Sequence, residues 1–139
     1  MGGSMARFTI ARGYLYTVGE ADLNVFSLQS AGLPQQVNEI SIGWGIETIY
    51  PYEDKLFIGS RTGMFIFDNS HPESPQQLSS YSHWTACDPV VVEGDIAYVT
   101  LRGGTQCESF NNQLDVIDIS DILQPALIRT YPMDNPHGL

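Results

Sequence analysis

Apolar residues occur in short runs along the chain, separated every few positions by Gly, Pro, Asn, Asp or Ser. The stretch 46–86 shows the pattern most clearly. Glu47 to Pro51 reads as a strand, closed by a turn at Glu53-Asp54. Lys55 to Gly59 is a second run, and Gly63 to Asp68 a third, alternating around Phe65 and Phe67. A proline-rich bend from Asn69 to Pro75 precedes a fourth run, Gln76 to Tyr81. Runs this short, joined by turns of a few residues, predict an antiparallel meander. No helix of ordinary length fits between the turn signals.

The same four-run unit occurs three times. Tyr16, Phe57 and Tyr98 recur every 41 residues, and Val25 and Ile66 stand 41 apart, with Val116 a further 50 on. Three more sets keep that spacing: Pro34, Pro75 and Pro125; Val37, Leu78 and Ile128; Ile40, Tyr81 and Tyr131. The copies span residues 5–45, 46–86 and 87–136, the third carrying about nine extra residues within 101–113. Residues 1–4 read as a tag or linker, and 137–139 as the opening of a further repeat. A period near 40 residues with four strands per unit predicts an all-β protein: three four-stranded antiparallel blades of a β-propeller. A β-sandwich is the rival, but it does not predict a strict period. Blades pack face to face, so Val90-Val91-Val92 and Val116-Ile117 are expected to be apolar on both faces. Closed propellers need about four to eight blades. Three blades predict a partial propeller, completed by further blades of a longer chain or by self-association, because unpaired blade faces invite contact.

Composition changes this picture little. The chain is 42% hydrophobic and 16% charged, which is globular rather than disordered. Sixteen acidic residues against six basic ones give a net charge of −10, which disfavours nucleic acid and anionic membrane surfaces as partners. The acidity serves solubility or marks a cation-binding face. No apolar run is long enough to span a membrane, and the first residues lack the basic start and apolar stretch of a signal peptide.

In a meander, loops between second and third strands share one side of the molecule with the blade-to-blade connections. That side collects the chemistry. The connections hold Trp44, Glu47, His83, Trp84, Asp88 and His137, and the loops hold Glu20, Arg61, Arg102 and Glu108. Exposed Trp beside Arg is what binding surfaces favour, and Trp faces stack on sugar rings. Trp44 and Trp84 could equally wedge between blades as packing. The histidines lack metal-ligand spacing, so no metal or cofactor is expected. Glu47 and Asp88 stand 41 apart, and a converging pair could act as acid and base in a hydrolase or lyase acting on a glycan. Cys87 and Cys107 either form a disulfide that ties down the insertion, contributing about 3 kcal/mol, or are two free thiols. There is no CxxC pair.

The third copy contains Leu114-Asp115-Val116-Ile117-Asp118-Ile119-Ser120-Asp121 followed by Pro125, with Gly94 and Tyr98-Val99 upstream. This resembles the repeat of the LVIVD family. The second copy is a weaker match, with Phe65-Ile66-Phe67-Asp68, Ser70, Pro72 and Pro75. In the first, Val25-Phe26-Ser27-Leu28 lacks the Asp. The resemblance implies propeller blades in mostly bacterial proteins, often exported and associated with the cell envelope, with no agreed enzymatic activity. It carries no catalytic residue onto this chain. Asp118 and Ser120 are expected to cap the turn after their strand. Together these readings favour a non-catalytic binding or scaffold module with a protein or glycan ligand, located outside the cytoplasm.

Overall fold

The computed structural model describes residues 6–82, 89–102, 112–134 and 136. Blade 1 consists of β1 (Phe8–Ala11), β2 (Tyr14–Val18), β3 (Asp22–Ser27) and β4 (Gln35–Ser41). Blade 2 consists of β5 (Ile46–Tyr52), β6 (Lys55–Ser60), β7 (Gly63–Asp68) and β8 (Gln76–Ser82). Blade 3 consists of β9 (Val90–Glu93), β10 (Ile96–Leu101), β11 (Gln113–Asp118) and β12 (Ala126–Pro132). Each blade is a separate four-stranded sheet in chain order, antiparallel throughout. The strands expected in blade 2 are present with ends moved by one residue or none. No helix among the described residues is long and apolar enough to cross a membrane.

Local chemistry sets the turns. Arg12 and Gly13 both have positive φ, 53° and 82°, which is the backbone of a primed hairpin turn whose twist suits the flanking strands. Glu53 and Gly94 hold the same place in blades 2 and 3, at φ 52° and 60°. The outer pair of strands carries an irregularity at one position in every blade. Pairing shifts at Val25/Phe26, Ile66/Phe67 and Val116/Ile117. Opposite each shift, one residue of the outer strand is skipped: Val37, Leu78 or Ile128. That set of residues, periodic in the sequence, is thus the extra residue of a repeated β-bulge.

Blade 2 is sealed on both faces. Towards blade 1 it presents Ile49, Leu56, Ile58 and Phe67, which join Tyr16, Val18, Leu23 and Val25 in one core cluster. Towards blade 3 it presents Phe57, Met64 and Ile66, which join Val90, Val92, Ala97, Val99, Leu101, Ile117 and Ile119. Burial therefore runs unbroken from Leu56 to Ser60 instead of alternating. Each of these large apolar side chains contributes about 1.5–3 kcal/mol over leaving it in water.

The end blades differ: blade 3 is apolar on both faces, as expected, but only one is covered. Val90, Val92 and Ile117 are buried, but Val91 and Val116 are only half-buried, because their side of blade 3 faces away from blade 2. On the far side of blade 1, Phe8 and Ile10 are 58% and 62% exposed. Those two faces are the unsealed surfaces that a partial propeller was expected to leave.

Hydrogen bonds also cross between blades. The Tyr16 hydroxyl is within bonding distance of both Asn69 Oδ1 at 2.9 Å and the Pro72 carbonyl at 2.8 Å. Arg12 donates to the Asn69 carbonyl, and Asn38 donates to that of Glu73. Between blades 2 and 3, Ser79 donates to the Ile122 carbonyl and the Gly94 amide donates to the Tyr52 hydroxyl. The first four of these contacts and the Ser79 bond run one way, from a blade to the bend between the third and fourth strands of the next.

Candidate functional site on the strand-connection side

The connection from blade 1 to blade 2 is pinned by backbone bonds. The amides of Ile42 and Gly43 donate to the Ala21 carbonyl, and that of Ile46 to the Glu20 carbonyl. On the other flank, the Arg61 amide donates to the Gly45 carbonyl at 3.0 Å. Trp44 stands at the tip of this fixed segment and is 79% exposed. It does not wedge between blades, so the packing alternative fails at this position.

Arg61 is held from beneath as well. It sits in the tight turn between β6 and β7, where the buried Ser60 hydroxyl donates to the Gly63 carbonyl and accepts from the Thr62 amide. Its side-chain stem lies over Gly45. A Cβ on Gly45 would come within 3.3 Å of three Arg61 carbons, and φ there is +77°, so both contact and backbone favour glycine. The guanidinium Nε then donates to Glu47 Oε1 at 3.1 Å. Trp44, Glu47 and Arg61 thereby form one ordered group: an exposed ring beside a partly shielded ion pair.

Arg102 follows β10 at the position equivalent to Arg61, and Glu20 occupies it in blade 1. The position after the second strand is therefore charged in every blade. His83, Trp84, Asp88, His137, Glu108, Cys87 and Cys107 lie outside the described residues. Among the described residues, no three of His, Cys, Asp and Glu group together as metal ligands.

The opposite side divides in two. Ser70 and Ser120 behave as turn residues should. Each donates its backbone amide and hydroxyl to the preceding carboxylate, Asp68 or Asp118, at 2.6–3.0 Å. These bonds hold both carboxyl groups below their ordinary value, with the Ser70 amide the larger cause at Asp68 and the Ser120 hydroxyl at Asp118. The expected cap at Asp118 and Ser120 is present. Asn69 is different. The sequence places it in an ordinary turn, yet it is 1% exposed and receives the Tyr16 hydroxyl from blade 1. Burial raises the Tyr16 phenol above its usual value, and the bond to Asn69 draws it partly back. The available signal was the Tyr16, Phe57, Tyr98 set itself, in which a hydroxyl comes and goes between blades.

No protein-family model matches the chain, and no curated protein matches it. One solved structure similar to it is the N-terminal domain of Nup159, a β-propeller. The alignment has a TM-score of 0.58 at 12% identity and covers 91% of this chain. This chain spans about a third of that one, 34% of its length. At that identity the likeness concerns fold alone. The chain is all-β, and its three blades are part of a propeller.

Proposed function

We propose that the chain is a non-catalytic binding or scaffold module built from LVIVD-like propeller repeats, acting at the bacterial cell envelope and engaging a glycan or protein through the strand-connection side. The observation that carries this reading is Trp44. A large ring held almost fully in solvent by a pinned segment presents apolar area at little conformational cost, and the Glu47–Arg61 pair beside it supplies directional polar contacts. The envelope location rests on the motif at Leu114 to Asp121.

The hydrolase or lyase reading has less support. It needs Glu47 as a proton-transfer group, and the Glu47 carboxylate is engaged by Arg61.

A glycan-array screen, paired with capture of proteins from an envelope fraction, tests the proposal. Binding that Trp44→Ala abolishes, at an unchanged melting temperature, is the expected result. No ligand in either arm, or binding indifferent to Trp44→Ala, would sink it.

A further inference from the structure

The two end faces of the three-blade unit repeat five of the core residues that seal its first internal interface. Blade 1 meets blade 2 through Tyr16, Leu23 and Val25 on one side and Leu56 and Phe67 on the other. Stepping these positions along the repeat leads to the end faces. Tyr16, Leu23 and Val25 become Tyr98, Leu114 and Val116, on the side of blade 3 facing away from blade 2. Leu56 and Phe67 become Leu15 and Phe26, paired across β2 and β3 on the side of blade 1 facing away from blade 2. All five residue types are preserved. In the interior these residues are buried, whereas at the ends all five are half-buried.

The donors repeat too. Asn38 and Ser79, which bond to the following blade, become Arg129 on β12, where the guanidinium now lies over the Tyr131 ring at 5.7 Å. Tyr98 brings the hydroxyl that Tyr16 aims at the bend of the next blade.

We infer that the open face of blade 3 docks the open face of blade 1 in a second copy of this chain, head to tail, so that two chains close a ring of six blades. The contact joins two different surfaces and is made twice about a twofold axis. The new interface differs from the old at Val18 and Ile58, whose equivalents are Thr100 and Thr17, and at the acceptor for the tyrosine hydroxyl. Tyr98 meets the bend after β3, where Leu28 replaces Asn69 and Ala31 replaces Pro72. The carbonyl acceptor at the Pro72 position is kept, and the side-chain acceptor is lost.

Sedimentation velocity on the full chain tests this. The expected species has about 31 kDa, twice the 15.4 kDa chain. Leu15→Glu and Val116→Glu each disable one face and are expected to be monomeric, with circular dichroism confirming that each still folds. Mixing the two variants restores a two-chain species, because the intact face of each meets the intact face of the other. Leu28→Asn supplies the missing acceptor and tightens the wild-type pair about tenfold. A wild-type chain that stays monomeric at all concentrations overturns the inference and leaves further blades of a longer chain as the occupant of both faces. A mixture that remains monomeric overturns it as well, as does a ladder of larger species.

Discussion

The two internal interfaces use the same positions of the repeat and hold together differently. Between blades 1 and 2, the buried Tyr16 hydroxyl meets Asn69 Oδ1 and the Pro72 carbonyl. Between blades 2 and 3, Phe57 replaces the tyrosine and Ile119 replaces the asparagine, both in one apolar cluster. Each pairing is consistent within itself. A buried hydroxyl has acceptors where the next blade provides them, and no hydroxyl is present where the next blade is apolar. Across these two interfaces the core varies in matched steps, and the step is taken in the next copy of the unit, not in the same one.

The largest effect should come from removing the apolar partner. Phe57→Ala empties a position that is 1% exposed and is expected to cost about 3–5 kcal/mol in urea unfolding. Exchanging the two kinds of interface comes next. Phe57→Tyr alone places a hydroxyl opposite Ile119 and should cost about 1–3 kcal/mol. Adding Ile119→Asn should recover part of that loss, with a coupling of about 1–2 kcal/mol in a double-mutant cycle. If the two substitutions simply add, the matched-step account is wrong.

Smaller effects appear as pH dependence. The Tyr16 phenol titrates higher in the fold than in the unfolded chain, so its contribution is complete below the ordinary value of 10.0 and fades as pH rises towards the folded value. Tyr16→Phe should flatten that alkaline loss, read as melting temperature against pH, whereas Phe57→Tyr, which leaves Tyr16 and Asn69 in place, should retain it. The smallest effect lies on the acid side. Asp118 titrates below its ordinary value of 3.8, so its contribution is present above that value and is lost as pH falls through the folded one. Asp118→Asn should remove this limb and leave the interfaces untouched. A carboxyl resonance titrating at the ordinary value would refute the Ser120 contact.

How much of this was legible follows from the range of the interactions. Strand limits in blade 2 could be read to within a residue because alternation and turn residues act locally. The repeat of Val37, Leu78 and Ile128 was also visible, but not its cause. A bulge depends on pairing with a strand about a dozen residues back, and nothing in an apolar residue on an exposed strand announces it. Asn69 misled for a related reason. Its neighbours Asp68 and Ser70 do form an ordinary turn, while its own partner is 53 residues away in the chain. Trp44 could be placed on the correct side, but its choice between packing and exposure depended on how Gly45 and Arg61 fix the segment beneath it. The matching of the end faces to the first interface was present in the sequence from the start. It became meaningful only once each position had a direction.

The repeated bulge has a consequence for how such a molecule avoids fibrils. Every outer strand, β4, β8 and β12, has its ladder broken at the same level, so its free edge is a poor template for a strand from another chain. Growth by edge pairing would be open-ended, since each added sheet would offer a new edge. Growth by stacking faces turns through an angle at each step and can return to its start. With its outer edges spoiled and its end faces apolar, any self-association of this unit is channelled through the faces, where closure at finite size is possible.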